Sequence, residues 1–294
     1  MTLVNTRAAF EKAVTDAVAA VDATVEMIYD NMIYKTPGKT KKYIVMSVDF
    51  AQATNQTQGA SQDYYSGVIQ CNIYVPKGSS RAKLSKMKSY GANITIFGND
   101  CVEAEAKARD LSDKKLIPYV SPYNDFHIVA GQGTMGIEIK SQIEELDAII
   151  ISIGGGGLMA GTASYLKSVW PDIKIIGCSP INSAVMIHSM EAGKILELKS
   201  LPTLSDGTAG GVEMDSITFP LCRKLVNETI LLSEKEIKDA MVLYIENEHQ
   251  LLEGAAGTAV AALIKAKDKL KGKRVGVVIC GGNIAVDTLR KVIS

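Results

Sequence analysis

Asp147-Ala-Ile-Ile-Ile-Ser-Ile153 is almost wholly apolar and β-branched, with no alternation of polar residues. Such a run predicts a strand buried on both faces, as in a parallel sheet. The pattern then changes period. Gly154 to Gly157 lead into Leu158 to Trp170, which has helical character and stops at Pro171-Asp172, and Ile173 to Cys178 reads as the next strand. Strand, glycine loop, helix and strand follow in order.

The alternation is already regular from residue 69. Ile69 to Val75 reads as a strand ending at Pro76, Arg81 to Tyr90 as a helix ended by Gly91, and Asn93 to Phe97 as a strand ended by Gly98. Asp100 with Glu103 predicts a capping-box-like helix start. Ile117 to Pro122 returns to extended chain, and Gly131-Gln-Gly-Thr134 is expected to open the helix that precedes residue 147. Further on, Leu204 to Gly211 is a loop of small residues, and Ser233 with Glu236 caps a helix to about Gln250. Glu253-Gly-Ala-Ala-Gly257 starts another helix, and Arg274 to Cys280 is the last strand. Ahead of residue 69, Thr6 to Thr24 has helical spacing, Thr36-Pro37-Gly38 is a break, Tyr43 to Val48 reads as a strand and Asn55 to Gly59 as a loop.

Strands alternating with helices at this spacing imply an α/β fold with parallel sheets flanked by helices. Two lobes are expected: a small one over residues 50–140 and a large one over 141–294, which an N-terminal segment, 1–49, joins.

Composition narrows the partners. The chain has 294 residues, 47% of them hydrophobic, and balances 32 Lys plus Arg against 32 Asp plus Glu. Zero net charge gives no reason to expect nucleic acid or an anionic membrane as partner. Ala148 to Leu166 carries no charge, but the four glycines and the helix start inside it argue against a membrane span. No N-terminal signal pattern is seen. The five cysteines are scattered and His127, His188 and His249 lie far apart, so free thiols in the cytoplasm and no metal centre are the expectation.

Glycines between a buried strand and a helix let consecutive N–H groups curl into one concavity at a helix N-terminus, where the partial positive charge favours an anion. A flexible linker is the alternative, though linkers are not flanked so tightly. The run lacks the Lys-Ser/Thr ending of a nucleotide P-loop and fits a dinucleotide fingerprint poorly. A phosphate on some other ligand is therefore expected, in the crevice at the strands' carboxyl ends. Cys280 at the end of the last strand is a candidate site thiol or a buried structural cysteine. Glu253, taken alone, is a helix-start carboxylate facing the macrodipole.

Several motifs together resemble one family. They are Gly98-Asn-Asp-Cys-Val-Glu-Ala-Glu-Ala106, Pro118-Tyr-Val-Ser-Pro-Tyr-Asn-Asp125, Ala130-Gly-Gln-Gly-Thr134, Gly154 to Leu158, Gly177-Cys-Ser-Pro180, Leu204-Ser-Asp-Gly-Thr-Ala-Gly-Gly-Val-Glu213, Glu253 to Gly257 and Cys280-Gly-Gly-Asn283. In this order, over roughly residues 69–290, they resemble the fold type II (tryptophan-synthase β-like) pyridoxal-phosphate enzymes, specifically the threonine/serine dehydratases.

The resemblance implies pyridoxal 5'-phosphate as cofactor, an amino acid substrate, a homodimer, and β-elimination of a hydroxy amino acid to a 2-oxo acid and ammonia. It implies that Gly154, Gly155, Gly156, Gly157 and Leu158 hold the cofactor phosphate, that Cys280 meets the pyridine nitrogen, and that Gly207 and Glu253 lie near the ring. Ser179 stands where several relatives carry a metal-binding glutamate, so no metal is expected there. The N-terminal part departs from the family. No Ser-Phe-Lys-x-Arg-Gly-Ala string, which carries the Schiff-base lysine in relatives, occurs in the chain. Gly38-Lys-Thr-Lys41 can be laid against it, making Lys41 the candidate lysine. A rival alignment places Asn5 there, and a third matches Lys35-Thr-Pro37 to an early Thr-Pro with the lysine segment deleted. Asn55-Gln-Thr-Gln-Gly59 resembles the loop that binds the substrate carboxylate, making Asn55 a candidate. A non-catalytic relative that keeps the scaffold and loop but lacks the lysine is the alternative function; racemisation and β-replacement share the same scaffold.

Overall fold

The computed structural model describes the backbone of residues 26–29 and 43–46 and, with side chains, residues 71–294. Strand β1 (Glu26–Tyr29), not anticipated from the sequence, pairs in parallel with β2 (Tyr43–Met46), which falls within the expected Tyr43 to Val48 strand. The Thr6 to Thr24 helix, Lys41 and the Asn55 loop lie outside the described residues.

Strands β3 (Asn72–Val75) and β4 (Asn93–Ile96) form a second parallel pair, joined by α1 (Arg81–Ser89). Helix α2 (Cys101–Lys115) starts as expected at Asp100, whose side chain accepts from the Val102 N–H. The capping box itself is shifted by one residue: Glu103 accepts from the Asn99 N–H at 3.3 Å. Asp100 Oδ1 also accepts from the Gly211 N–H at 2.8 Å, which ties the start of α2 to a distant loop.

Helix α3 (Phe126–Gln142) corrects one expectation, because it begins at Asp125 and not at Gly131. Asp125 accepts from the N–H groups of His127 and Ile128, satisfying two donors of the first turn. Gly133 and Gly136 therefore sit inside the helix, where they let it press on α4 (Gly157–Val169). A Cβ on Gly133 would lie 3.2 Å from the Gly161 carbonyl oxygen, and one on Gly161 would lie 2.7 Å from the Gly133 nitrogen.

The four-stranded sheet contains β5 (Ala148–Ser152), β6 (Lys174–Pro180), β7 (Glu228–Leu232) and β8 (Val275–Val277), in the order β7-β6-β5-β8 and all parallel. Every residue of β5 is buried. Ile149, Ile151 and Ile153 point into one cluster with Met159, Leu166 and Trp170. Ala148 and Ile150 point into another, with Ile176, Ile237, Met241 and Leu252. The two faces alternate because side chains alternate across a strand, and each such isoleucine contributes roughly 1.5–3 kcal/mol of burial. Helices α5 (Val185–Ala192) and α6 (Thr218–Leu225) lead to β7, and α7 (Glu234–Glu248) and α8 (Gly254–Ala266) lead to β8; α9 (Val286–Ile293) ends the chain. The Ser233–Glu236 capping box on α7 is present in full.

The chain steps from β5 to β6 to β7 in one direction and then returns to place β8 on the other side of β5. That reversal opens a crevice at the carboxyl ends of β5 and β8, the position at which parallel α/β sheets bind ligands. No described helix is long and apolar enough to cross a membrane.

Candidate active site

A cavity of ≈ 520 Å³ occupies this crevice. Gly154 to Met159, which follow β5, line one side, and Ile279 and Cys280, which follow β8, line another. Asp206 to Gly211, Glu253, Cys101, Glu105, Tyr123 and Gln132 also line it. A second hollow of ≈ 450 Å³, edged by Glu145, Asp147, Asp172, Lys174 and Lys273, opens at the amino ends of the same strands. Parallel α/β sheets bind ligands at the carboxyl ends of their strands, where the first cavity lies.

Neighbours force the glycine loop to be glycine. Gly156 has φ +87°, a left-handed value that side chains resist, and its Cβ would lie 2.8 Å from Cys222 Sγ. A Cβ on Gly154 would lie 2.9 Å from the Thr208 Cα, and one on Gly155 would enter the Tyr123 ring. Thr218 Oγ1 donates to the Gly155 carbonyl at 2.6 Å and holds the loop from behind. The N–H groups of Gly154 to Met159 donate to no described residue, at the N-terminus of a 13-residue helix. These donors and the partial charge of the helix end fit a phosphate.

Cys280, in the same lining, is half-buried, and burial followed by the charge of Glu253 pushes its thiol up to about 11. The group is therefore an uncharged thiol at neutral pH, which fits a pyridine nitrogen that takes no formal charge from its partner. Glu253 is the N-cap residue of α8 but its side chain makes no capping hydrogen bond. Its carboxylate turns instead toward Gly281 and Gly207; a Cβ on Gly207 would lie 3.7 Å from Glu253 Oε1. Glu253 thus stands at the start of α8, as the helix-start reading expects, and also lines the cavity.

Gly154 to Leu158, Gly207, Glu253 and Cys280 come together round this one cavity. Lys41 and Asn55 lie outside the described residues, and among the described residues no lysine lines the cavity. Ser179 is buried and its hydroxyl donates to the Ile153 carbonyl at 2.7 Å.

Other residues of the site carried no assignment from sequence. The Tyr123 ring packs against Gly155 and Gly157. Its hydroxyl accepts from the Glu213 N–H at 2.8 Å and meets Glu105 Oε2 at 3.3 Å. Asp206 pairs with Lys83 of α1 at 2.9 Å. Tyr123, Asp206 and Glu213 lie inside the motifs of the family resemblance, which carry no information on their contacts.

The sequence matches the family described as pyridoxal-phosphate dependent enzyme over residues 52–281. It is 34% identical over 266 residues to the L-threonine ammonia-lyase of Thermotoga maritima, covering 90% of this chain and 65% of that enzyme. It is 31% identical to the catabolic L-threonine dehydratase of Escherichia coli K12, covering 82% of this chain and 73% of the relative. Among solved structures, the processed threonine deaminase isoform 2 of Solanum lycopersicum superposes with a TM-score of 0.67 at 30% identity, covering 76% of this chain and 65% of that one. The tryptophan-synthase β-like fold expected from the sequence is the fold of these structural neighbours.

Proposed function

The chain belongs to the pyridoxal-phosphate-dependent enzyme family, and from that premise we propose that it is a threonine/serine ammonia-lyase, releasing ammonia and a 2-oxo acid from a β-hydroxy amino acid. The observation that carries the reading is the cradle of N–H groups at Gly154 to Leu158, which donate to no described residue, with the neutral Cys280 thiol lining the same cavity. Similarity to relatives named threonine ammonia-lyase and threonine dehydratase supports the substrate class.

Pyridoxal phosphate, when bound, supplies an electron sink for the pair left on the substrate Cα. In this reading Gly154, Gly155, Gly156, Gly157 and Leu158 hold its phosphate by N–H donation, and Gly207 allows close backbone approach to the ring. Cys280 would donate to the pyridine nitrogen without charging it, which keeps the sink weaker than a carboxylate partner would and suits β-elimination over deeper carbanion chemistry. Glu253 would border the ring, its charge adding to burial in keeping the Cys280 thiol protonated. Lys41 is the candidate to attach the cofactor and remove the α-proton, and Asn55 the candidate to bind the substrate carboxylate. The substrate would enter between a small lobe over residues 50–140 and a large lobe formed mainly by residues 141–294. A homodimer and a reducing, cytoplasmic setting complete the proposal; the five free cysteines support the latter.

The rival is a non-catalytic relative, favoured by the missing lysine string. Borohydride reduction of the cofactor-loaded protein followed by peptide mapping separates them. The lyase reading expects a reduced adduct on the Lys41 peptide and a 2-oxo acid from L-threonine or L-serine. Cofactor binding with no adduct and no 2-oxo acid establishes the rival.

A further inference from the structure

Cys101 and Glu105 lie one turn apart on α2, and both line the cavity. The helix is pinned on both sides of Glu105. Asp100 accepts from the Gly211 N–H at 2.8 Å, and Arg109 donates to both carboxylate oxygens of Glu213. The carboxyl itself is oriented by Tyr123. Because the Tyr123 hydroxyl accepts from the Glu213 N–H, its proton is directed to Glu105 Oε2 at 3.3 Å. Glu105 Oε1 makes no hydrogen bond to a described residue. Since the Tyr123 ring rests on Gly155, the carboxyl stands one tyrosine side chain away from the cradle. The described lining includes Glu105, Glu138, Asp206 and Glu253 but no Lys or Arg, and of these Asp206 is already paired with Lys83.

We propose that Glu105 is a specificity-determining residue of the substrate pocket, a carboxyl that admits amino acids with an uncharged hydroxyl side chain and turns away those with an anionic one. The proposal rests on the lyase reading and adds a discrimination to it. A hydroxyl can donate to Glu105 Oε1, whereas a second carboxylate meets a like charge with no described cation on the cavity wall to offset it.

The discrimination should depend on pH. Burial and then the charge of Glu213 push Glu105 up to about 7; Asp100 adds to the rise, while the Tyr123 hydrogen bond and Arg109 oppose it. The neighbouring Cys101 thiol, raised mainly by burial to about 11, and the Tyr119 phenol, raised mainly by burial to about 12, stay protonated across this range. Among the described groups at this wall, Glu105 is thus the one placed to change charge near neutrality.

Calorimetric titration of the cofactor-loaded protein with L-2-aminobutyrate and L-aspartate tests this, since neither has a hydroxyl to eliminate and their α-amino groups titrate alike. The preference for 2-aminobutyrate is expected to grow about tenfold between about pH 6 and about pH 8. Glu105→Gln is expected to bind aspartate about tenfold better at the higher pH, with 2-aminobutyrate binding within about threefold of the parent. A preference that does not change with pH in the parent, or one that Glu105→Gln leaves intact, overturns the assignment and leaves the lyase reading standing. A parent that binds neither amino acid overturns the lyase reading and the assignment together. The pH dependence of the parent is measured without a variant, so the folding of Glu105→Gln does not decide the outcome.

Discussion

Arg109 on α2 grips Glu213, 104 positions further along the chain, through three hydrogen bonds of 2.9 to 3.3 Å. The carboxylate is 7% exposed and also accepts from Asn124 Nδ2 at 2.6 Å. Removing the guanidinium leaves that buried charge with one neutral donor. Arg109→Met is expected to lower unfolding free energy by about 2–3 kcal/mol, and Arg109→Met with Glu213→Gln by less, because the uncompensated charge is then gone. Urea unfolding of the single and double variants measures this; a double variant less stable than Arg109→Met contradicts it.

Glycines that look alike in sequence should respond oppositely to alanine. A Cβ on Gly161 would run into the Val129 carbonyl oxygen of the neighbouring helix, so α3 and α4 must separate. Gly161→Ala is expected to cost about 2–4 kcal/mol. A Cβ on Gly131 meets nothing within 4 Å, and the residue sits inside α3. Gly131→Ala is expected to stabilise by about 0.5–1 kcal/mol through the usual helix preference. Thermal unfolding of both variants is the measurement.

The glycine cradle needs its missing side chains. Gly155→Ala drives a methyl into the Tyr123 ring, and the loop must shift to relieve it. Binding of pyridoxal phosphate, followed by absorbance titration, is expected to weaken by more than about tenfold, as befits lost N–H donation at a helix end. Unchanged affinity would remove Gly155 from the phosphate site.

The central strand and cradle could be read from sequence because their signals are local: an unbroken apolar run, then glycines, then helical spacing. Strand β7 was not read, since Glu228-Thr-Ile-Leu-Leu232 lies at the sheet edge and is only partly buried. Helix α3 starts ahead of the point its glycines predict, because glycines usually mark boundaries, whereas Gly133 and Gly136 mark a helix contact. The contacts of Glu105, Arg109, Tyr123 and Glu213 were invisible for another reason. They depend on which distant segments fold together, and no spacing along the chain records that.

Cys280 should be a poor nucleophile despite lining the cavity. With its thiol near 11, roughly one part in a thousand is thiolate at pH 8. Iodoacetamide labelling is expected to modify the exposed Cys71 well before Cys280, with mass spectrometry reading the two peptides. Cys280→Ser keeps an uncharged hydrogen-bonding group and is expected to hold the cofactor nearly as well as the parent, whereas Cys280→Ala weakens it by about threefold to tenfold.

Two carboxyls give the stability profile opposite slopes in different pH windows. Burial raises Glu105 from 4.5 to about 7, so the folded protein holds its proton where the unfolded chain has lost it. The stability this group contributes is present below about pH 4.5 and is lost as pH rises through 7, a fall of about 1–3 kcal/mol. Glu236 runs the other way. Burial pushes it up, but hydrogen bonds from Lys265 and from Ser233 outweigh this and bring it down to about 2. Its contribution is present above about pH 4.5 and is lost as pH falls through 2. Urea unfolding at stepped pH should therefore show a rise on the acid side and a decline toward neutrality. Glu105→Gln is expected to flatten only the decline, and Glu236→Gln only the acid rise; a decline that survives in Glu105→Gln assigns the titration to another group.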